Sequence, residues 1–208
     1  ALASLAAVAV PALDAAWRRE DDTFDWDARA LEIVRLALLA DICDTDCLNA
    51  AATAAAQYLM QRLKEPRRAF EEVLSPVLAR LDALARTPDH LLLVTACDCA
   101  DSLGEHAFGD PLLQRLLASA TVDDQRAGAL LMNARGKQRT GDIETASQYF
   151  AEAAALFRSA GQLREGAIAQ VSVAGIQSDR GDHAGALRIL EEQLPVYERL
   201  GDVRSKAV

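Results

Sequence analysis

Four glycines mark the second half of the chain like a ruler: Gly141, Gly161, Gly181 and Gly201 are each 20 residues from the next. Three of them are followed by Asp (Asp142, Asp182 and Asp202), and the fourth by Gln162. A glycine just past a helix end supplies the left-handed C-cap, and the Asp after it can accept from the first amides of the next helix. Stretches of helix-favouring residues lie between the glycines. The spacing therefore predicts a run of helices of equal length, folded back on one another at Gly-Asp turns.

Alternate helices differ in character, so the true period is 40. Shifting the chain by 40 aligns Ala127 with Ala167, Ala129 with Ala169, Ala134 with Ala174 and Ala146 with Ala186. The same shift aligns Glu152 with Glu192, Phe157 with Tyr197, Arg164 with Arg204 and Ala167 with Ala207. The matches fall at small or turn positions, where close helix approach and tight turns restrict side-chain size.

Composition agrees with helices packed closely together. Apolar residues make up 51% of the 208, but aromatics only 5%, and alanine is abundant. Alternating β-branched and aromatic residues are missing, so essentially no sheet is expected.

The 40-residue pattern resembles the tetratricopeptide repeat family in its longer form, clearly over 124–208. Ala134 and Ala174 stand where that family has a small residue in its first helix, and Ala146 and Ala186 where it has one early in the second. Phe150 and Leu190 take its large apolar position. The chain departs from the pattern at Asn133, where a large apolar residue is usual, and at Lys137 and Gln177, which replace an aromatic. The usual proline is missing at Arg158 and Glu198. The resemblance implies an all-α fold, an α-solenoid of antiparallel helical hairpins winding as a right-handed superhelix of about ten helices. It also implies a concave groove lined by each first helix: Leu131, Arg135, Gln138 and Arg139 from one repeat, and Val171, Gly175, Ser178 and Asp179 from the next. Arg135 and Arg139 share a helix face and, with Arg126, form a basic stripe. Against a partner role, these arginines could pair with acids such as Asp179 and Glu144. Leu131 and Arg135 occupy positions where the family's carboxylate clamp uses other residues, so a clamp of that type is not expected.

Upstream the pattern is degenerate. Asp46 to Leu63 and Pro66 to Ala85 read as two helices, with Ala69 five residues after Lys64 as Ala146 is five after Gly141. His90 to Ala107 and Pro111 to Ser119 read as another pair, with Gly109-Asp110 as its turn. Trp26 to Ile42 reads as an amphipathic helix, and residues 1–20 as one more, interrupted at Pro11. The division expected is 1–43 for N-terminal helices, 44–123 for degenerate hairpins and 124–208 for repeats. Val203 to Val208 opens a further first helix, so a segment of a larger protein is expected. The apolar stretch Ala1 to Leu13 has no basic segment before it and reads as a packing helix, not a secretory signal.

Other function classes find little support. A net charge of −9 repels phosphate backbones and anionic lipid surfaces, so neither nucleic acid nor membrane is an expected partner. Four cysteines (Cys43, Cys47, Cys97 and Cys99) are too few for a disulfide framework in a chain this long, which points to a reducing, cytoplasmic setting. Cys43 and Cys47 could share a helix face, but Cys97 and Cys99 would point about 160° apart on a helix, so buried small residues are expected and no metal. His90, His106 and His183 form no catalytic pattern, and His183 in its turn is expected to be solvated. Trp17 and Trp26 are expected to anchor the first helices. Glu71-Glu72 and Glu191-Glu192 read as solvated faces. No phosphate-binding glycine loop or nucleophile elbow is present. No enzyme and no cofactor are expected. The expected function is a protein- or peptide-binding scaffold, resembling the sensor or interaction arm of large bacterial regulators, with an acidic partner suggested by the arginines. A peptide-pheromone-receptor-like regulator and a self-assembling repeat module are the alternatives.

Overall fold

A computed structural model describes residues 45–104 and 106–199, with Leu31, Val34, Arg35 and Leu38 ahead of them; of Cys47 and of 106–110 it describes the backbone alone. Every regular element among the described residues is helical. The expectations for Trp17, Trp26, Cys43, Gly201 and Val203 to Val208 lie outside the described residues. The chain divides into two compact units, Ala1–Leu112 and Leu113–Val208.

In the first unit, α1 (Thr45–Gln57) continues into a wider π-type stretch, Tyr58–Arg62. After Lys64 come α2 (Pro66–Arg68), a second π stretch over Ala69–Leu74, and α3 (Ser75–Ala83). Pro66 opens this run at the first-turn position, where its missing N–H would have had no helical partner. Lys64 takes φ +59°, the left-handed conformation that Gly141 takes at +83°. The two positions are equivalent in the sequence, each five residues before an alanine, Ala69 and Ala146. α4 (His90–Leu103) is capped by Asp89, whose carboxylate accepts from the Leu92 amide at 2.7 Å. It packs on α1, α2 and the second π stretch.

One expectation fails between α4 and the next helix. α4 stops at Leu103, with Gly104 in the left-handed conformation, and does not run to Ala107. The helix α5 (His106–Ser119) then passes straight through Gly109-Asp110, which is no turn. Gly104 has already supplied the left-handed residue that ends a helix, so the second glycine is left inside the next one. Pro111 is tolerated near the start of α5, where only one backbone bond is forgone.

The second unit follows the glycine ruler. The helices α6 (Asp123–Arg139), α7 (Ile143–Ser159), α8 (Leu163–Asp179) and α9 (His183–Arg199) are each 17 residues long. Gly141, Gly161 and Gly181 have φ of +83°, +75° and +87°. Each helix packs on the one before it: α7 on α6, α8 on α7 and α9 on α8. Asp142 and Asp182 accept from the amides of Thr145 and Gly185, at 3.3 and 2.9 Å. Gln162, in the same place, makes no such side-chain bond.

Two apolar clusters hold these helices. One joins Ala134, Ala146 and Phe150 to Val173, Ala174, Ile176, Ala186 and Ile189, with Leu131, Ile143 and Leu190 packed on its edge. The other joins Ala127, Leu130, Ala153, Ala154 and Phe157 to Ala169. Small residues let the backbones approach. A Cβ placed on Gly166 of α8 would lie 3.4 Å from the Ala154 carbonyl oxygen of α7.

Candidate functional site

The eight residues expected to line a groove divide into three groups. Leu131 is half-buried and packs against both apolar clusters, so it belongs mainly to the core. The helix turn that carries it faces α7 and α8. Arg135, Gln138 and Arg139 are exposed along the last two turns of α6, and Asp179 is exposed at the end of α8. Val171, Gly175 and Ser178 come together in one open depression of about 360 Å³ between α8 and α9. Its other walls are Ala174, His183, Ala186, Leu187 and Leu190. The sequence reading missed the α9 side of this depression, because it assigned the groove to first helices alone.

The basic stripe is shorter than expected. Arg126 reaches from α6 to Glu152 of α7 at 3.2 Å. Glu144 is held by Arg180 of α8, at 3.0 Å. Arginine side chains are long enough to choose partners on another helix, and sequence spacing within one helix does not reveal which. Arg135 makes no ion pair among the described residues.

His183 is exposed but not simply solvated. Its Nδ1 lies 3.3 Å from the Ser178 hydroxyl, so a polar pair closes one end of the depression. Apolar side chains form most of the rest. A site of this kind can seat an aliphatic side chain and offer one hydrogen-bonding group at its rim.

Asn133 is spent inside the protein. It is buried, and its side-chain amide donates to the carbonyl oxygens of Ala129 and Leu113 at 2.9 and 3.0 Å. Both of its amide hydrogens are therefore committed within the fold.

The thiols of Cys97 and Cys99 are buried and unpaired. Burial, with the Asp98 charge adding to it, pushes Cys97 up to about 12 and Cys99 up to about 11. Both stay protonated near neutral pH, and the thiolate is the nucleophilic and metal-binding form. The Cys99 thiol instead donates to the Pro66 carbonyl at 3.2 Å, tying α4 to α2. Among the described residues, no three His, Cys, Asp or Glu side chains gather as a metal site would need. No helix among them is long and apolar enough to cross a membrane.

No protein-family model matches this chain, and no curated protein matches it.

Proposed function

We propose that this chain is a protein- or peptide-binding scaffold of the tetratricopeptide type, a right-handed solenoid of about ten helices, and not an enzyme. The observation that carries this reading is the agreement of sequence period and geometry. Four helices of equal length begin at residues 123, 143, 163 and 183, and three turns between them carry left-handed glycines. Stacked hairpins of that kind present one helix face of each pair to solvent as a continuous binding surface. An interaction arm of a larger cytoplasmic bacterial regulator is the setting that fits the resemblance.

The groove partner in this reading is an acidic peptide, held by the exposed guanidinium of Arg135 with Arg139 one turn on. Arginine suits this role because its planar fork matches a carboxylate. The test uses labelled decapeptides that differ only in net charge, titrated against wild type and the double variant Arg135→Glu, Arg139→Glu. Acidic peptides should bind wild type best, and the double variant should lose that preference while keeping its helical circular dichroism. Equal affinity for acidic and basic peptides, or an unchanged preference in the folded double variant, would refute the groove assignment.

A further inference from the structure

The 40-residue register matches the two first helices of the second unit level by level. Arg135 of α6 corresponds to Gly175 of α8, and Arg139, the last residue of α6, to Asp179, the last residue of α8. The two helices are neighbours: Ala134 shares one apolar cluster with Val173 and Ala174, and Ala127 and Leu130 share the other with Ala169. Arg135 and Asp179 are both exposed, and neither makes an ion pair among the described residues. A cation on one helix and an anion on its neighbour thus face the same side without meeting. The exposure of Asp179 does not depend on an open end of the stack. Arg139 holds the same register position and is exposed although α8 packs beside α6.

Helix stability does not explain the acid. The C-terminus of a helix is the negative end of its dipole, so a carboxylate in the last turn is unfavourable there. α6 ends on Arg139, the favourable sign, whereas α8 has no basic residue in its last turn. Arg180, the next residue, gives its guanidinium to Glu144 of α7. Gly175 is a second departure, because glycine inside a helix is less stable than alanine. A Cβ there would meet nothing within 4 Å, so no neighbour requires the glycine. It leaves α8 bare beside Arg135, one turn before Asp179.

We infer that the groove takes an extended peptide carrying a carboxylate for Arg135 and, three or four residues away, a Lys or Arg for Asp179. Packed helices lie about 8–10 Å apart, and Asp179 sits about 6 Å further along than Arg135. The span to be bridged is therefore about 10–12 Å, or three to four residues of extended chain at about 3.3 Å each. The peptide backbone crosses where Gly175 presents no side chain. The Arg135 end of this arrangement rests on the acidic-peptide reading, and the Asp179 end is new.

The probes are labelled decapeptides with blocked ends and a single Glu, identical except at the fourth residue after it, which is Lys, Gln or a second Glu. A further peptide moves the Lys next to the Glu, which keeps the net charge and changes only the spacing. Each is titrated by fluorescence anisotropy against the full chain, wild type and Asp179→Lys. Wild type should bind the spaced Lys peptide about threefold tighter than the Gln peptide, the size of a good exposed ion pair, and the second-Glu peptide weakest. Asp179→Lys should invert that order. The adjacent-Lys peptide should show no gain over the Gln peptide. Asp179 is exposed at the end of α8, so its variant should keep the helical circular dichroism of wild type. An order unchanged in Asp179→Lys, or an equal gain from the adjacent Lys, overturns the inference. If Arg135→Glu still weakens the Gln peptide in that case, the acidic-peptide reading stands. Affinity for every peptide indifferent to Arg135→Glu refutes that reading and the inference with it.

Discussion

The side-chain amide of Asn133 donates to the Leu113 carbonyl oxygen at 3.0 Å, linking the middle of α6 to the second half of α5. The residue is 2% exposed and also bonds Ala129 one turn back, so both amide hydrogens are used. This explains a polar residue where the repeat pattern favours a large apolar one. Asn133→Asp places a carboxylate against two carbonyl oxygens in a site closed to water and should cost at least about 3 kcal/mol. Asn133→Leu removes the polar demand along with the bonds and should cost less, about 1–2 kcal/mol. Urea denaturation of both variants tests the order. An Asp variant as stable as the Leu variant would mean that the site is not dry.

Backbone handedness separates positions that sequence composition treats alike. Gly161 has φ +75°, so Gly161→Ala should cost about 1 kcal/mol. Gly128 lies inside α6 with nothing within 4 Å of an added Cβ, so Gly128→Ala should gain about 0.5–1 kcal/mol. Lys64 and Ala85 take left-handed φ of +59° and +52° without being glycine. Replacing either with Gly should relieve a conformational cost of about 1 kcal/mol. Thermal melts of the four variants should therefore move in opposite directions for Gly161→Ala and the other three.

The same comparison shows what a sequence discloses and what it does not. Turn chemistry is local, so Gly141, Gly161 and Gly181 could be placed from spacing alone, and even Lys64 was aligned with Gly141 without a glycine to mark it. Gly109-Asp110 carried the same two letters and misled, because Gly104 had already ended α4 and the pair fell inside α5. The ends of the candidate site were less legible still. That Arg126 meets Glu152, and Arg180 meets Glu144, depends on how neighbouring helices are offset along their axes. His183 looked like a solvated turn residue because nothing in its spacing places the Ser178 hydroxyl beside it. Leu187 and Leu194 carried a visible signal, a 3–4 spaced apolar stripe. It lies on a second helix of its pair, outside the first-helix groove that the resemblance implies.

Buried thiols make stability depend on alkaline pH. In the folded chain Cys97 ionises near 12 and Cys99 near 11, whereas an unfolded cysteine ionises at about 8.5. The folded pKa is the higher one, so the contribution is fully present below the unfolded value. It is lost as pH rises from about 8.5, where the unfolded chain begins to release protons that the folded chain keeps. The midpoint of urea denaturation should therefore fall between pH 8.5 and 10, and the Cys97→Ala, Cys99→Ala double variant should flatten that slope. Iodoacetamide should modify Cys97 and Cys99 only as fast as the protein opens, read site by site by peptide mass mapping. Rapid labelling of Cys97 or Cys99 at pH 7.5, in conditions where the fold is intact, would contradict the burial of that thiol.

Gln162 stands where Asp142 and Asp182 cap their helices. The backbone is the same in each: a left-handed glycine, then the cap residue, with φ of −79° at Asp142 and −84° at Gln162. What differs is reach. A carboxylate one carbon from Cα can turn back to the amide three residues on, as Asp142 does toward Thr145. The glutamine side chain is longer by one carbon and forms no cap bond. The first amides of α8 therefore lack the cap-position acceptor that α7 and α9 have, and Glu165 is the acidic residue of its first turn. Gln162→Asp should raise stability by about 0.5–1.5 kcal/mol, and Asp142→Ala should lower it by a similar amount. The gain should shrink below pH 4 as the new carboxylate is protonated, whereas a gain from altered packing would not. A Gln162→Asp variant no more stable than wild type at pH 7 would mean that the α7–α8 turn does not hold the geometry of its two neighbours.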